Sequence, residues 1–186
     1  VAAAGHSRRA WGWHPLVDEW AGRVVEDAGV RPGQLVLDVG AGRGALTAHL
    51  LDAGAQVIAV EPHPGRARRL RERFAGARIT VVESDALALR LPHRPFRVVA
   101  SPPYGISSAL LRHLLAPRSR LVAADLVLQR AVVRRFAEGR SVPGARWDVR
   151  AGRSLPRRAF RPPPQVDSAV LVVRRRNRVG TAARRS

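Results

Sequence analysis

From Leu16 to Ala28 apolar side chains recur at every fourth position, Leu16, Trp20, Val24 and Ala28, which is the spacing of one helical face. The period then changes. Gln34–Val39 is a short apolar run ending in an acid and glycines, and Ala45–Ala53 returns to helical spacing through Leu46, His49 and Leu50. Gln56–Val60 reads as a second strand closed by Glu61, and Pro64–Phe74 as a helix with Ala67, Leu70 and Phe74 inward and arginines elsewhere. Arg78–Val82, Phe96–Ala100 and Leu121–Leu128 are further strands, with helices expected over Ile106–Leu115 and Gln129–Glu138. Strands alternating with helices imply βαβ units and an α/β fold with a mainly parallel sheet.

The last third breaks this rhythm. Arg146–Leu155 and Ser168–Arg175 read as two strands with no helix between them, only the proline-rich Pro156–Pro164. Strands without a crossover pair antiparallel or lie apart. Pro162, Pro163 and Pro164 remove three amide donors, so their segment is an ordered connection and not a central strand. Residues beyond Arg176 are polar and basic, a pattern expected of a disordered tail.

Composition narrows the function. The 186 residues contain no cysteine, and the six histidines form no His-x-x-x-His pair, so disulfide scaffolds and protein-built zinc sites are not expected. No apolar run reaches the ~20 residues a bilayer requires, which suggests a cytoplasmic protein with no membrane partner. The net charge is +19, and every basic residue is arginine. Its distribution is uneven: residues 1–100 carry +4 and residues 101–186 carry +15. Such one-sided charge adds self-repulsion unless a polyanion neutralises it, and nucleic acid is the expected partner.

Asp38-Val39-Gly40-Ala41-Gly42-Arg43-Gly44 lies where a strand turns into a helix, and Glu61 closes the next strand. Glycines at that turn let backbone approach a ligand, and a carboxylate at the second strand end accepts ribose hydroxyls. A dinucleotide and S-adenosylmethionine both meet this pattern. Asp38 favours the second, because a carboxylate there repels pyrophosphate but suits a sulfonium that carries an ammonium group. Asp85, in Glu83–Leu87, is a third acid after a third strand and an acceptor for an adenine amino group.

Ser101-Pro102-Pro103-Tyr104 follows the fourth strand, and Tyr104 is the single tyrosine. Two prolines stiffen the backbone. The Pro102 carbonyl and the Ser101 hydroxyl are then aimed at a fixed point beside a flat aromatic face. Acceptors that bind the hydrogens of a planar exocyclic amine out of plane localise its lone pair, and stacking holds the base in line.

With these motifs and Phe160–Ser168 ahead of the last strand, the chain resembles the S-adenosylmethionine-dependent ribosomal RNA adenine methyltransferases. It is most similar to the Erm type, which modifies 23S ribosomal RNA and gives macrolide, lincosamide and streptogramin B resistance. The resemblance implies a Rossmann-like class I methyltransferase fold with an antiparallel final strand. It divides the chain into an arm (1–15), a catalytic domain (16–176) and a basic tail (177–186). It assigns Asp38, Gly40, Gly42, Glu61, Asp85 and Ser101 to the cofactor or the reacting amine, and Tyr104 and Phe160 to the two faces of a flipped adenine. The family's N-terminal Gln-Asn-Phe-Leu signature corresponds to Trp13-His14-Pro15-Leu16, which adds His14 and Leu16 to the cofactor contacts. Three departures stand out. Serine replaces the usual asparagine at Ser101, the N-terminal signature is altered, and no helical RNA-binding domain follows the last strand. RNA affinity in such a short form is expected from arginines of the second half, among them Arg134, Arg140, Arg150, Arg153, Arg158, Arg161 and Arg174. A monomer acting on 23S RNA before ribosome assembly is complete is the expectation. A small-subunit adenine dimethyltransferase and a non-catalytic RNA-binding relative are the alternatives.

Overall fold

Alternation within single strands sorts this chain into layers. In β1 (Leu35–Val39), Leu35, Leu37 and Val39 enter one apolar cluster while Val36 enters another, as a pleat of period two requires. The computed structural model describes residues 14–139 and 146–176. Within them, β2 (Gln56–Val60), β3 (Ile79–Val82), β4 (Phe96–Ala100), β5 (Leu121–Gln129), β6 (Trp147–Leu155) and β7 (Ser168–Arg175) join β1 in one seven-stranded sheet of order β3-β2-β1-β4-β5-β7-β6. Strands β1 to β5 pair parallel. The last strand, β7, inserts antiparallel between β5 and β6, so the expected mostly parallel sheet with an antiparallel final strand is the one formed.

Helices α1 (Asp18–Ala28), α2 (Ala45–Asp52) and α3 (Pro64–Arg73) bury Val24, Leu50 and Leu70 on one face. Helices α4 (Ser107–Leu114) and α5 (Arg130–Ala137) bury Leu110, Leu111 and Phe136 on the other. The expected elements are all present, with small shifts at their ends. Leu16 is not helical, because its backbone makes a bridge to Phe160. Helix α4 is preceded by a 3₁₀ turn at Tyr104–Ile106, since the prolines hold the preceding chain extended.

Two opposite charges are buried in the sheet beneath α1. Arg97 of β4 donates to the carbonyls of Ala28 and Gly29, where α1 ends. Asp125 of β5 accepts from Arg174 at 2.8 Å, with Arg97 at 3.6 Å. A guanidinium thus satisfies carbonyls that a helix end leaves open, and one carboxylate joins three strands. Of the N-terminal arm only His14 and Pro15 are described. Trp11, Trp13, Arg140 and the tail 177–186 lie outside the described residues. Among the described residues no helix is long and apolar enough to cross a membrane.

Candidate active site

Strand order reverses between β1 and β4, which are neighbours in the sheet although far apart in sequence. Ligands of open α/β sheets bind at the carboxyl ends of strands at such a switch point. The loops that leave β1 and β4 are Gly40–Gly44 and Ser101–Tyr104, so the topology brings the two motifs together. They meet closely. A Cβ added to Gly40 would sit 3.3 Å from Pro103 Cδ and 3.5 Å from Pro102 Cα, and Gly40 holds φ +76°. Only glycine combines that left-handed backbone with that approach. The two loops form one wall of a cleft of about 930 Å³.

Three acids border the cleft in different states. Asp38 is buried, 1% exposed, and accepts from Thr47 Oγ1 at 2.6 Å through Oδ2, while Oδ1 has no partner. Burial pushes its pKa up to about 7; the Thr47 bond opposes this and the nearby Glu61 charge adds to it. Glu61 is 2% exposed and ties the glycine loop to β2: Oε2 accepts from the Gly42 amide, and Oε1 accepts from the His63 amide and Arg66 Nε, each at 2.9 Å. Asp85 is exposed, three residues past the end of β3, and accepts from the Leu87 amide at 2.7 Å. Each oxygen of a carboxylate has two lone pairs, so both Glu61 and Asp85 keep capacity for a further donor.

At the end of the second loop, Tyr104 bonds Ser168 at 2.6 Å between hydroxyls, and Ser107 Oγ donates to the Tyr104 carbonyl. Burial of the phenol raises its pKa above the usual value, against the Ser168 bond. Ser168 closes the Phe160–Ser168 motif, so this motif orients the tyrosine of the other. The sequence reading did not single out Ser168. Its place before the last strand beside β5 was the available signal.

His14, Leu16, Asp38, Gly40, Gly42, Glu61, Asp85, Ser101 and Tyr104 all line the cleft. Phe160 does not. It is 1% exposed and packs in the cluster that holds Leu16, Ala159 and Val170. Its backbone pairs with Leu16, and the neighbouring Ala159 carbonyl accepts from the Val17 amide at 2.9 Å. That pairing turns the ring inward, away from the position expected for one face of an adenine sandwich. The ring that lies near Tyr104 is His14, with centroids 6.1 Å apart and planes at 26°.

Of the arginines expected to grip RNA, some are already engaged. Arg153 makes a two-pronged pair with Asp27, one arm at 2.8 Å, and Arg174 is held by buried Asp125. Arg158 and Arg161 are exposed, and Arg161 lines the cleft.

The sheet order and the switch-point cleft with its glycine loop define a Rossmann-like methyltransferase domain. Residues 7–183 match the ribosomal RNA adenine dimethylase family, and the chain belongs to that family. It is 41% identical over 165 residues to a ribosomal RNA small subunit methyltransferase A of Leifsonia xyli subsp. xyli, covering 80% of this chain and 59% of that protein. It is 36% identical to an rRNA adenine N-6-methyltransferase of Saccharopolyspora erythraea, covering 91% of this chain and 47% of that protein. Among solved structures, the 23S rRNA methyltransferase ErmE superposes with a TM-score of 0.77 at 33% identity, over 87% of this chain and 69% of that one. A dimethyladenosine transferase from Plasmodium falciparum gives 0.76 at 24% identity, over 88% of this chain and 64% of that one, and shares the fold. The chain thus spans about half to two thirds of the length of these relatives.

Proposed function

We propose that the chain is the catalytic part of an S-adenosylmethionine-dependent methyltransferase that modifies the 6-amino group of an adenine in 23S ribosomal RNA, with 16–176 as the catalytic domain and resistance to macrolides, lincosamides and streptogramin B as the consequence. The observation that carries the chemistry is the meeting of the glycine loop and Ser101–Tyr104 in one cleft. The likeness to ErmE supports 23S RNA as the substrate.

The residues present fit the cofactor. Asp38 Oδ1 is a buried acceptor without a donor, a costly state that an ammonium group relieves. The left-handed glycines Gly40 and Gly42 leave a cradle without side chains. When bound, S-adenosylmethionine supplies a methyl group on a positively charged sulfur. Glu61 accepts a ribose hydroxyl at the lone pair of Oε2 that the Gly42 amide leaves open, and Asp85 accepts from the adenine amino group. Leu16, buried beside the cleft, excludes water from the cofactor.

Ser101 Oγ and the Pro102 carbonyl accept the two hydrogens of the target amine and so turn its lone pair out of the ring plane. Tyr104, fixed by Ser168, stacks on the base. Taking an adenine out of its stack costs a few kcal/mol, least in a loop or unpaired strand. Tyr104 returns about 1–3 kcal/mol of that.

The Leifsonia relative favours a second reading, in which the target lies in the small subunit. Incubating the protein with methyl-labelled cofactor and naked 23S or 16S transcripts, then mapping the label, decides between them. Label at an adenine of 23S RNA supports the proposal. Label in 16S RNA alone moves the substrate to the small subunit.

A further inference from the structure

The net charge of the first hundred residues sits in one helix. Residues 1–100 carry +4, and α3 alone, with Arg66, Arg68, Arg69, Arg71 and Arg73 against Glu72, also carries +4. The remaining arginines and acids of that half cancel. Such a helix works against its own stability. Arg66 and Arg69 are like charges three positions apart, Arg69 and Arg73 four apart, and no acid stands in the first turn to complement the helix dipole. Burial of Ala67 and Leu70 holds the helix in place instead.

Between α3 and the glycine loop lies a cavity of about 340 Å³, lined by Gly42, Arg43, Arg66, Arg69, Leu70 and Arg73. Its walls are fixed. A Cβ added to Gly44 would lie 2.9 Å from Leu70 and 2.6 Å from the Phe74 ring, so loop and helix are in close contact, and Arg73 donates to the Arg43 carbonyl at 2.7 Å. The charge inside is only partly compensated. Arg66 pairs with Glu61. Arg73, in contrast, is held by neutral groups, that carbonyl and the Phe74 ring at 4.8 Å, and Arg69 is exposed with no acid partner among the described residues.

We propose that this cavity seats a phosphate of the RNA backbone, a second hold on the substrate from the cofactor side of the cleft. The inference rests on the RNA-methylating reading and deepens it. The cofactor does not account for the charge: Arg43, Arg66 and Arg73 also line the main cleft, and guanidinium groups repel a ligand with a cationic sulfur. A phosphodiester is the complementary ion, because guanidinium forks bind phosphate oxygens through paired hydrogen bonds. The volume is roughly ten times the ~30 Å³ share of one water, which admits a phosphate group and not solvent alone. Gly42, Arg43, Arg66 and Arg73 belong to both cavities, so a strand that delivers an adenine to the cleft runs on to the second cavity along one rim. Exposed Arg71 and Arg78 extend the charge past it, which favours a polyanion over a lone nucleotide.

Anisotropy of a labelled single-stranded RNA, titrated across salt without cofactor, tests this on the full chain. Arg69→Gln is the variant, because its side chain is exposed. The log–log salt slope is expected to fall by about 0.7, and affinity near 0.1 M salt to fall about fivefold, which is what that slope amounts to over a decade of salt. Arg69→Lys is expected to keep the slope. Arg68→Gln, on the same helix but outside the cavity and 3.6 Å from Glu72, is expected to change neither. In steady-state methylation of 23S and 16S transcripts, Arg69→Gln is expected to raise the KM for RNA about fivefold with kcat unchanged, the mark of lost uniform binding.

Unchanged thermal unfolding shows that each variant is folded. Equal effects of Arg68→Gln and Arg69→Gln would overturn the proposal, because net charge and not the cavity would then act. So would an unchanged slope in Arg69→Gln, or displacement of the RNA by poly-glutamate as readily as by unlabelled RNA of equal charge, since the surface would then hold any polyanion. If the slope falls in Arg69→Gln but wild type methylates neither transcript, the phosphate seat stands and the enzymatic reading fails. Methylation with an unchanged slope sinks the seat alone.

Discussion

Replacing Asp38 by asparagine should stabilise the ligand-free protein and weaken its hold on the cofactor. The carboxyl is buried, with one oxygen bonded to Thr47 and the other to nothing. Its pKa rises from 3.8 to about 7, chiefly through burial. Between these values the folded state holds a proton that the unfolded state has released. Stability from this group is therefore full below about pH 4, declines by about 1.4 kcal/mol per pH unit, and levels off above about pH 7. The accumulated penalty is about 4 kcal/mol. Asparagine is isosteric, keeps an acceptor for Thr47 and carries no charge. Urea unfolding of wild type and Asp38→Asn across pH 4 to 9 should show a difference near zero at pH 4 that grows to about 4 kcal/mol in favour of the variant at pH 8. Excess S-adenosylmethionine should shrink that gap, since ligands stabilise the state that binds them and the ammonium group compensates the ionised Asp38. A difference that does not change with pH would refute the reasoning, as would equal stabilisation of both proteins by the cofactor.

Tyr104→Ala should nearly abolish methylation while calorimetric cofactor binding survives; Tyr104→Phe, which loses only the Ser168 bond, should cost about 1 kcal/mol, or roughly fivefold in kcat/KM. Gly44→Ala should lower stability by about 2–5 kcal/mol in thermal unfolding. Its φ is +84° and the new Cβ would lie 2.6 Å from the Phe74 ring, so backbone strain and overpacking combine. RNA binding should weaken steeply with salt. Arg158→Ala and Arg161→Ala should each reduce the log–log salt slope for single-stranded RNA by about 0.7 if they contact phosphate, and Arg153→Ala, whose guanidinium is occupied by Asp27, should leave it unchanged.

The fold was legible wherever local periodicity carried it. The strands β1, β2 and β4 are short, largely apolar runs, as strands covered on both faces are, set off from helices of period 3.6, and their limits agree within a few residues. That Asp38, Gly40, Gly42 and Glu61 come together at the cleft was legible because they lie in short segments placed by strand ends alone. The surroundings of Tyr104 were not. Tyr104 meets Ser168 across 64 positions, and His14 meets Pro162 across 148. Such contacts depend on how β7 inserts beside β5, which no local period encodes. Phe160 shows the difference most directly. Its motif marks an aromatic of importance, but only the bridge to Leu16 decides that the ring faces the core. The Arg97–Asp125–Arg174 group was hidden likewise, because in sequence each charge interrupts an otherwise apolar strand without naming its partner.

The central claim is that the cleft between Gly40–Gly44 and Ser101–Tyr104 carries methyl groups to the 6-amino group of adenine in RNA. Digesting an RNA incubated with the protein and trideuteromethyl-labelled S-adenosylmethionine to nucleosides, and weighing them by mass spectrometry, tests it most directly. The label should appear in N6-methyladenosine or N6,N6-dimethyladenosine with wild-type protein and be absent with Tyr104→Ala. Label in any other nucleoside, or the same adenosine product from Tyr104→Ala, would contradict it.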